Sequence, residues 1–157
     1  MKIRAAVRAR QDKDFLIIAR TDSMRTHGFD EGVKRGNAYI EAGADMVMCC
    51  PNSIEESQRA PQEIPAPLVY VNSQGNRLGR PIFSVQEFAG MGWKMVVETI
   101  TAPFVAIQAL KRAYGQLAHD RRITLDPAEM QAVRKEIEDL IGLEEYYAIE
   151  AETVERT

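Results

Sequence analysis

Arg20 stands directly after the apolar run Leu16-Ile17-Ile18-Ala19, and Asp22 follows two residues later. A guanidinium at such a position must be paired, and its planar fork grips a carboxylate or phosphate at two points. Two arrangements satisfy it: a ligand anion with Asp22 orienting the fork, or an internal Arg20–Asp22 pair. Asn72 and Ser73 close another apolar run, Leu68 to Val71. An asparagine amide donates and accepts at once, which suits a hydroxy or keto acid; the same side chain also opens Asx-turns, here into Ser73-Gln74-Gly75-Asn76. Glu98 lies inside a third run, where a carboxylate faces either a barrel axis or a paired cation.

The remaining candidates have plainer readings beside the chemical ones. Gly75-Asn76-Arg77-Leu78-Gly79-Arg80-Pro81 carries two arginines between glycines, so it reads as a solvated surface loop that could also fold over an anion as a lid. Cys50 at a strand end has no nearby histidine to activate it as a nucleophile. Cys49 and Cys50 are therefore read as packing residues, His27 and His119 as surface groups in a loop and near a helix end, and Tyr146 and Tyr147 as core or interface aromatics.

Arg20, Cys50 and Asn72 share one location, the end of an apolar run. Phe15 to Ala19, Asp45 to Cys50, Leu68 to Val71 and Met95 to Ile100 are continuous rather than alternating and rich in β-branched residues, as strands buried on both faces are. Each leads into a turn cluster and then a segment with helical spacing. Ser53 with Glu56 and Ser84 with Glu87 fit capping boxes, and Gly43 and Gly92 stand where a helix-ending glycine belongs. The pattern predicts parallel βα units, in which ligands meet the carboxyl ends of the strands. Lys2 to Arg10 reads as the last turns of a helix and Gln11 to Asp14 as its exit.

After the fourth run, Phe104, Ile107, Leu110, Tyr114 and Leu117 form an apolar stripe that should cover the last strand. Asp126-Pro127-Ala128-Glu129 starts another helix, with the stripe Met130, Val133, Ile137, Leu140 and Ile141. That stripe packs either on its own domain or on a neighbouring subunit. The expected organisation is a partial barrel over 1–121 and a helical extension over 122–157. Four βα units make half of an eight-unit barrel and leave two strand edges unpaired.

Composition narrows the partners. The 157 residues carry 23 acidic and 20 basic side chains, a net charge of -3, which offers no field for nucleic acid or an anionic membrane. No apolar run nears the ~20 residues needed to cross a bilayer, and the start lacks the apolar core of a secretory signal. The expected setting is cytoplasmic, with a small molecule or protein as partner. Two adjacent cysteines make neither a disulfide nor a zinc site, and no metal ligand set is read from the sequence.

Ile17-Ile18-Ala19-Arg20-Thr21-Asp22, Tyr39-Ile40-Glu41-Ala42-Gly43-Ala44-Asp45, Pro67-Leu68 with Asn72, Gly79 to Pro81 and Ser84 to Phe88 together resemble the later half of the isocitrate lyase and phosphoenolpyruvate mutase superfamily. The resemblance covers nearly the whole chain. It implies a Mg²⁺-dependent (β/α)8 barrel that makes or breaks C–C or C–P bonds next to a carboxylate through an enolate-like intermediate. It further implies that Arg20 binds a substrate carboxylate, that Asn72 holds the substrate or the developing enolate oxygen, and that Ser73 assists. The family's acidic metal-binding motif and its Lys-Cys-Gly-His-type loop do not occur here, and Cys49-Cys50-Pro51 stands where many relatives have a glutamate. Mg²⁺ is thus implied with ligands that are not in this chain.

The leading expectation is a segment of a C–C lyase or decarboxylase for a small 2-hydroxy or 2-keto dicarboxylate, inactive in isolation, with Asp22 and Glu98 as supporting residues. Methylisocitrate lyase, dimethylmalate lyase and oxaloacetate decarboxylase serve as models. The alternatives are a phosphonate C–P mutase or hydrolase of the same superfamily, and a non-catalytic half-barrel that associates as a homo-oligomer.

Overall fold

Asp45 starts the sheet. Its Oδ2 accepts from the Ile17 N–H at 2.8 Å and from Arg10 Nη1 at 2.7 Å, and these two contacts hold its carboxyl below the ordinary carboxylate range. A computed structural model of the chain describes residues 2–154. After α1 (Lys2–Ala9) come β1 (Ile18–Thr21), α2 (Ser23–His27), α3 (Phe29–Glu41), β2 (Met46–Cys49), α4 (Ile54–Glu63), β3 (Leu68–Asn72), α5 (Val85–Met91) and β4 (Met95–Glu98). The four strands are parallel and lie in sequence order, β1-β2-β3-β4, as the alternation of runs predicts. Then follow α6 (Thr101–Asp120), α7 (Pro127–Leu140) and α8 (Leu143–Thr153).

Register sorts the side chains by face. Thr21, Cys49, Tyr70 and Val96 align across the sheet on one side, and Arg20, Met48, Val69 and Met95 on the other. The first side packs on the helices: Val47, Cys49, Leu68 and Tyr70 are buried in one cluster with Met24, Phe29, Ala60, Ile64, Phe88 and Trp93. Tyr70 is its centre, with ring centroids 4.6 Å from Phe88 and 4.9 Å from Trp93.

Pro61 lies inside α4 and has no N–H to give the Ser57 carbonyl four residues back. Trp93 takes that place, its indole N–H donating to the Ser57 oxygen at 2.9 Å. A proline that breaks one helical bond thus creates the acceptor that seats the neighbouring indole.

The start and stop signals act as read. Ser84 and Glu87 form a reciprocal capping box and Gly92 ends α5 at φ 98°. Ser53 accepts from the Glu56 N–H, while the Glu56 carboxylate reaches one residue further back, to the Asn52 N–H. Asp126 accepts from the Ala128 N–H ahead of Pro127.

Four expectations are corrected. β1 begins at Ile18 rather than Phe15, because a turn from Asp12 to Phe15 keeps that ring and Leu16 outside the sheet, both exposed. The fourth run stops pairing at Glu98, since Thr101 already opens α6. Burial on both faces holds for β2 and β3 only: Ile18 and Arg20 of β1 and Met95 of β4 are exposed, because nothing among the described residues flanks the outer sides of these edge strands. Phe104, Ile107, Leu110, Tyr114 and Leu117 are exposed rather than buried; an apolar stripe is buried only where a surface packs on it. Met130, Val133, Ile137, Leu140, Ile141, Tyr146 and Tyr147 are exposed as well, so of the two readings for them, packing within the chain is the one that fails. The chain divides into two compact units, Met1–Val105 and Ala106–Thr157. No helix among the described residues is long and apolar enough to cross a membrane.

Trp93→Phe leaves the Ser57 carbonyl buried and unpaired, which should cost roughly 1–3 kcal/mol in urea unfolding followed by circular dichroism. In a Pro61→Ala background the new N–H can reclaim that carbonyl, so the same substitution should cost less. Equal costs in the two backgrounds would show that the indole bond is not what seats α5 and β4.

Candidate functional site

Arg20 sits one residue inside the carboxyl end of β1, on the face turned away from the helices, and its side chain is 57% exposed. Its Nε and Nη2 both donate to Asp22 Oδ1, at 3.2 and 3.1 Å. The internal pair is therefore formed, but it converges on one carboxylate oxygen and leaves Nη1 outside it. An exposed pair of this kind is weak, so it orients the fork without closing it to another anion.

Around that fork lies a pocket of about 110 Å³ lined by Arg20, Asp22, Arg25, Cys50, Leu78 and Arg80. They come from three neighbouring strand ends: Arg20, Asp22 and Arg25 from β1 and its exit, Cys50 from the end of β2, and Leu78 and Arg80 from the loop after β3. Arg25 lies on α2, the short helix that starts just after Asp22. Cys50 follows β2, its thiol 3.8 Å from Asp22 Oδ1. Arg80 arrives on the loop after β3.

That loop is neither free nor simply solvated. Asn76 ties it together with all four of its amide bonds: Nδ2 donates to the carbonyls of Ser73 and Arg80, and Oδ1 accepts from the N–H groups of Leu78 and Arg80. Gly75 and Gly79 supply the left-handed turns at φ 66° and 62°, and the Tyr70 hydroxyl donates to the Pro81 carbonyl at 2.9 Å. Arg77 is exposed, whereas the Arg80 Nε and Nη1 are buried without a hydrogen-bond partner among the described residues.

Asn72 and Ser73 stand at the same end of the sheet, outside this pocket. Asn72 donates to the Phe83 carbonyl at 3.3 Å and leaves Oδ1 buried and unpartnered, so it does not open an Asx-turn. Ser73 bonds Thr99 hydroxyl to hydroxyl at 2.6 Å. Glu98 corrects its reading: it is exposed, no cation among the described residues pairs with it, and Thr101 donates to its carboxylate. The reason is its place on the open edge strand, where water replaces the partner a buried carboxylate would need.

Both thiols favour the protonated form. Burial pushes Cys49 up to about 12, and burial also raises Cys50 against the opposing pull of Arg80 and Arg20. His27 ends α2 rather than lying in a loop, and it is exposed and bonded to Thr26; His119 is exposed beside Asp120. Mg²⁺ needs several oxygen ligands, and no group of three or more His, Cys, Asp or Glu gathers among the described residues. Asp22 is spent on Arg20, and three guanidiniums line the pocket. The described residues do not fit a divalent cation.

Sequence reasoning found Arg20, Asp22 and the Arg80 loop, but it missed Arg25 altogether. The signal available for Arg25 was its spacing, three residues after Asp22, which reaches the same strand end only if α2 turns back at once.

The family model described as phosphoenolpyruvate phosphomutase matches residues 1–118. The chain is 33% identical over 150 residues to 2,3-dimethylmalate lyase of Eubacterium barkeri, covering 95% of this chain and 51% of that protein. It is 31% identical over 145 residues to 2-methylisocitrate lyase of Bacillus subtilis, covering 90% and 46%. Among solved structures, a 2,3-dimethylmalate lyase superposes with a TM-score of 0.80 at 30% identity, over 98% of this chain and 54% of that one. Phosphonopyruvate hydrolase gives 0.77 at 31% identity, over 98% and 55%. The chain spans about half the length of the curated relatives it matches. With the parallel four-strand sheet in the same fold as those structures, the chain belongs to the phosphoenolpyruvate mutase and isocitrate lyase superfamily and carries the C-terminal half of its fold.

Proposed function

We propose that this chain supplies the carboxylate-binding wall of a C–C lyase or decarboxylase site for a small 2-hydroxy or 2-keto dicarboxylate. The observation that carries the reading is Arg20, whose fork stands at a strand end on the open face of the sheet, in a pocket where guanidiniums outnumber carboxylates. Breaking a C–C bond next to a carboxylate leaves the electron pair on an enolate, and fixed positive donors stabilise that developing oxygen charge. Asn72 can add one amide N–H and its free Oδ1 at the same sheet end. The 2,3-dimethylmalate and 2-methylisocitrate lyases among the relatives favour this substrate class.

Cleavage also needs a base for the hydroxyl proton, and none of the pocket residues is one. Cys50 holds its proton, Asp22 is engaged by Arg20, and both histidines lie outside the pocket. Enolate stabilisation by the Mg²⁺ that the family implies would need ligands from outside the described residues, which gather no group of three or more His, Cys, Asp or Glu. The chain alone therefore binds such acids without turning them over.

A second reading follows from the sheet edges. β1 and β4 each pair on one side only, and an unpaired parallel edge is a template for another strand. Two copies would together hold the eight strands of a closed barrel, which makes a homodimer the expected association state of a non-catalytic half-barrel.

Three measurements test these statements. Titration calorimetry with oxaloacetate should detect binding that Arg20→Gln weakens by about tenfold or more, the loss of one charge-assisted contact; unchanged affinity removes Arg20 from the site. A panel of 2-methylisocitrate, 2,3-dimethylmalate and oxaloacetate with Mg²⁺ should show no turnover by the 157-residue chain, and sedimentation should show a dimer. Measurable turnover overturns the first of those claims, and a monomer overturns the second.

The raised thiols give a pH dependence with a fixed sign. Below the ordinary thiol value of 9.0 both folded and unfolded Cys49 keep the proton; between 9.0 and about 12 only the unfolded thiol ionises, so stability falls as pH rises through that window. Urea midpoints should drop there more for the native chain than for Cys49→Ala, and iodoacetamide at pH 8 should label the folded chain far more slowly than the unfolded one. Fast labelling of folded Cys50 would restore it as a nucleophile.

A further inference from the structure

We infer that Arg80 is a second anion contact of this pocket, the residue that makes it select acids with two negative groups over acids with one. The inference deepens the Arg20 reading and depends on it.

The charge balance comes first. Arg20, Arg25 and Arg80 face one carboxylate, that of Asp22, which leaves a surplus of two positive charges in about 110 Å³. A space so far below the ~300–1,000 Å³ of drug-sized ligand sites admits only a small acid. Asp22 is already taken by Arg20, so nothing within the pocket neutralises Arg80.

The state of Arg80 itself is the second observation. Its Nε and Nη1 are buried and make no hydrogen bond to the described residues. Two buried guanidinium nitrogens without a hydrogen-bond partner are costly to hold, and the weak thiol contact that Cys50 offers the same side chain does not replace an anion. No acidic side chain forms an ion pair with it among the described residues; the groups that feel its charge are the Cys50 thiol and the Tyr70 hydroxyl.

The third observation is how firmly it is placed. Asn76 grips both the N–H and the carbonyl of Arg80, and Tyr70 holds the carbonyl of the next residue, Pro81. These bonds run from the buried aromatic core to the loop, so Arg80 is presented from a fixed backbone. Preorganised donors of this kind give selectivity because the ligand does not have to order them. Asn76 is accordingly a positioning residue for Arg80.

The ligand class is a three- or four-carbon acid with an anionic group at each end, whether that second group is a carboxylate or a phosphonate. Calorimetry on the 157-residue chain with pyruvate, oxaloacetate and phosphonopyruvate compares one anionic group with two on closely related skeletons. Both dianions should bind at least about tenfold tighter than pyruvate, the effect of one added charge-assisted contact. The tighter of the two identifies the second group. Arg80→Gln should reduce that preference to within about twofold while leaving pyruvate binding nearly unchanged, Arg80→Lys should keep much of it, and Asn76→Ala should reduce it without touching pyruvate.

Should Arg80→Gln fail to fold, Arg80→Lys and Asn76→Ala, with the salt dependence of the native chain, carry the test. The affinity for the dianions should fall more steeply with ionic strength than that for pyruvate. Equal binding of all three acids, or an Arg80→Gln variant that weakens all alike, overturns the role of Arg80 and leaves the Arg20 reading standing. Arg20→Gln without effect on any of the three, or no binding at all, overturns both.

Discussion

A parallel sheet is normally covered on both faces, because its crossover helices lie against it and a second layer or the far wall of a barrel closes the other side. Here the helices cover the face that carries Thr21, Cys49 and Tyr70. The opposite face is closed over β2 and β3 and open along β1 and β4. That one constraint accounts for features that otherwise look unrelated: the exposure of Ile18 and Met95, the solvated Glu98, the free strand edges, and the reach of Arg20 into open space. It also leaves the Arg20 Nη1 outside the Asp22 pair, since Nε and Nη2 alone converge on Oδ1.

The covered face does the positioning. Pro61 denies the Ser57 carbonyl its helical partner, the carbonyl takes the Trp93 indole, and Trp93 stacks edge-on against Tyr70. The Tyr70 hydroxyl, left polar at the rim of the aromatic cluster, finds the Pro81 carbonyl and draws the β3–α5 loop down. An irregularity in one helix is thereby connected, through packed rings and two hydrogen bonds, to the loop that presents Arg80. Buried aromatic residues with a polar tip favour such junctions, because the ring anchors in the core while the hydroxyl or indole N–H must find a partner.

Periodicity and capping residues made the sheet order legible, because continuous apolar runs between capped helices leave one economical arrangement, parallel βα units. The same runs misplace strand ends. Phe15 and Leu16 extend the apolar run of β1 in sequence, yet the Asp12 turn removes them from the ladder. Helical spacing finds an apolar stripe but not what packs on it: the α6 stripe, expected to cover the last strand, is exposed, and the α7 stripe, for which spacing allows its own domain or a neighbouring subunit, does not pack within the chain. At the site, Arg20 and Asp22 were legible from their place after an apolar run. Arg80 was seen as part of a loop but not as a fixed group, because its placement comes from Asn76 and from Tyr70, ten residues away along the chain. The apolar run around Glu98 implies a barrel-axis or cation-paired carboxylate, but β4 is an edge strand and Glu98 is exposed on it.

The site itself divides along chemical lines. Arg80 is presented from a clamped backbone, the one carboxylate pairs with Arg20, and the one thiol, Cys50, is raised by burial, so the pocket is equipped to hold charge and not to move protons. A site of this composition carries an electrostatic cost when empty, since like charges close together in a partly dry pocket repel and the buried nitrogens of Arg80 lack partners. Anion binding relieves that cost, and a ligand that binds only the folded chain adds its binding free energy to stability. The economy of the arrangement lies there: the fold tolerates an unpaired guanidinium because the Asn76 clamp and the aromatic core hold it in place.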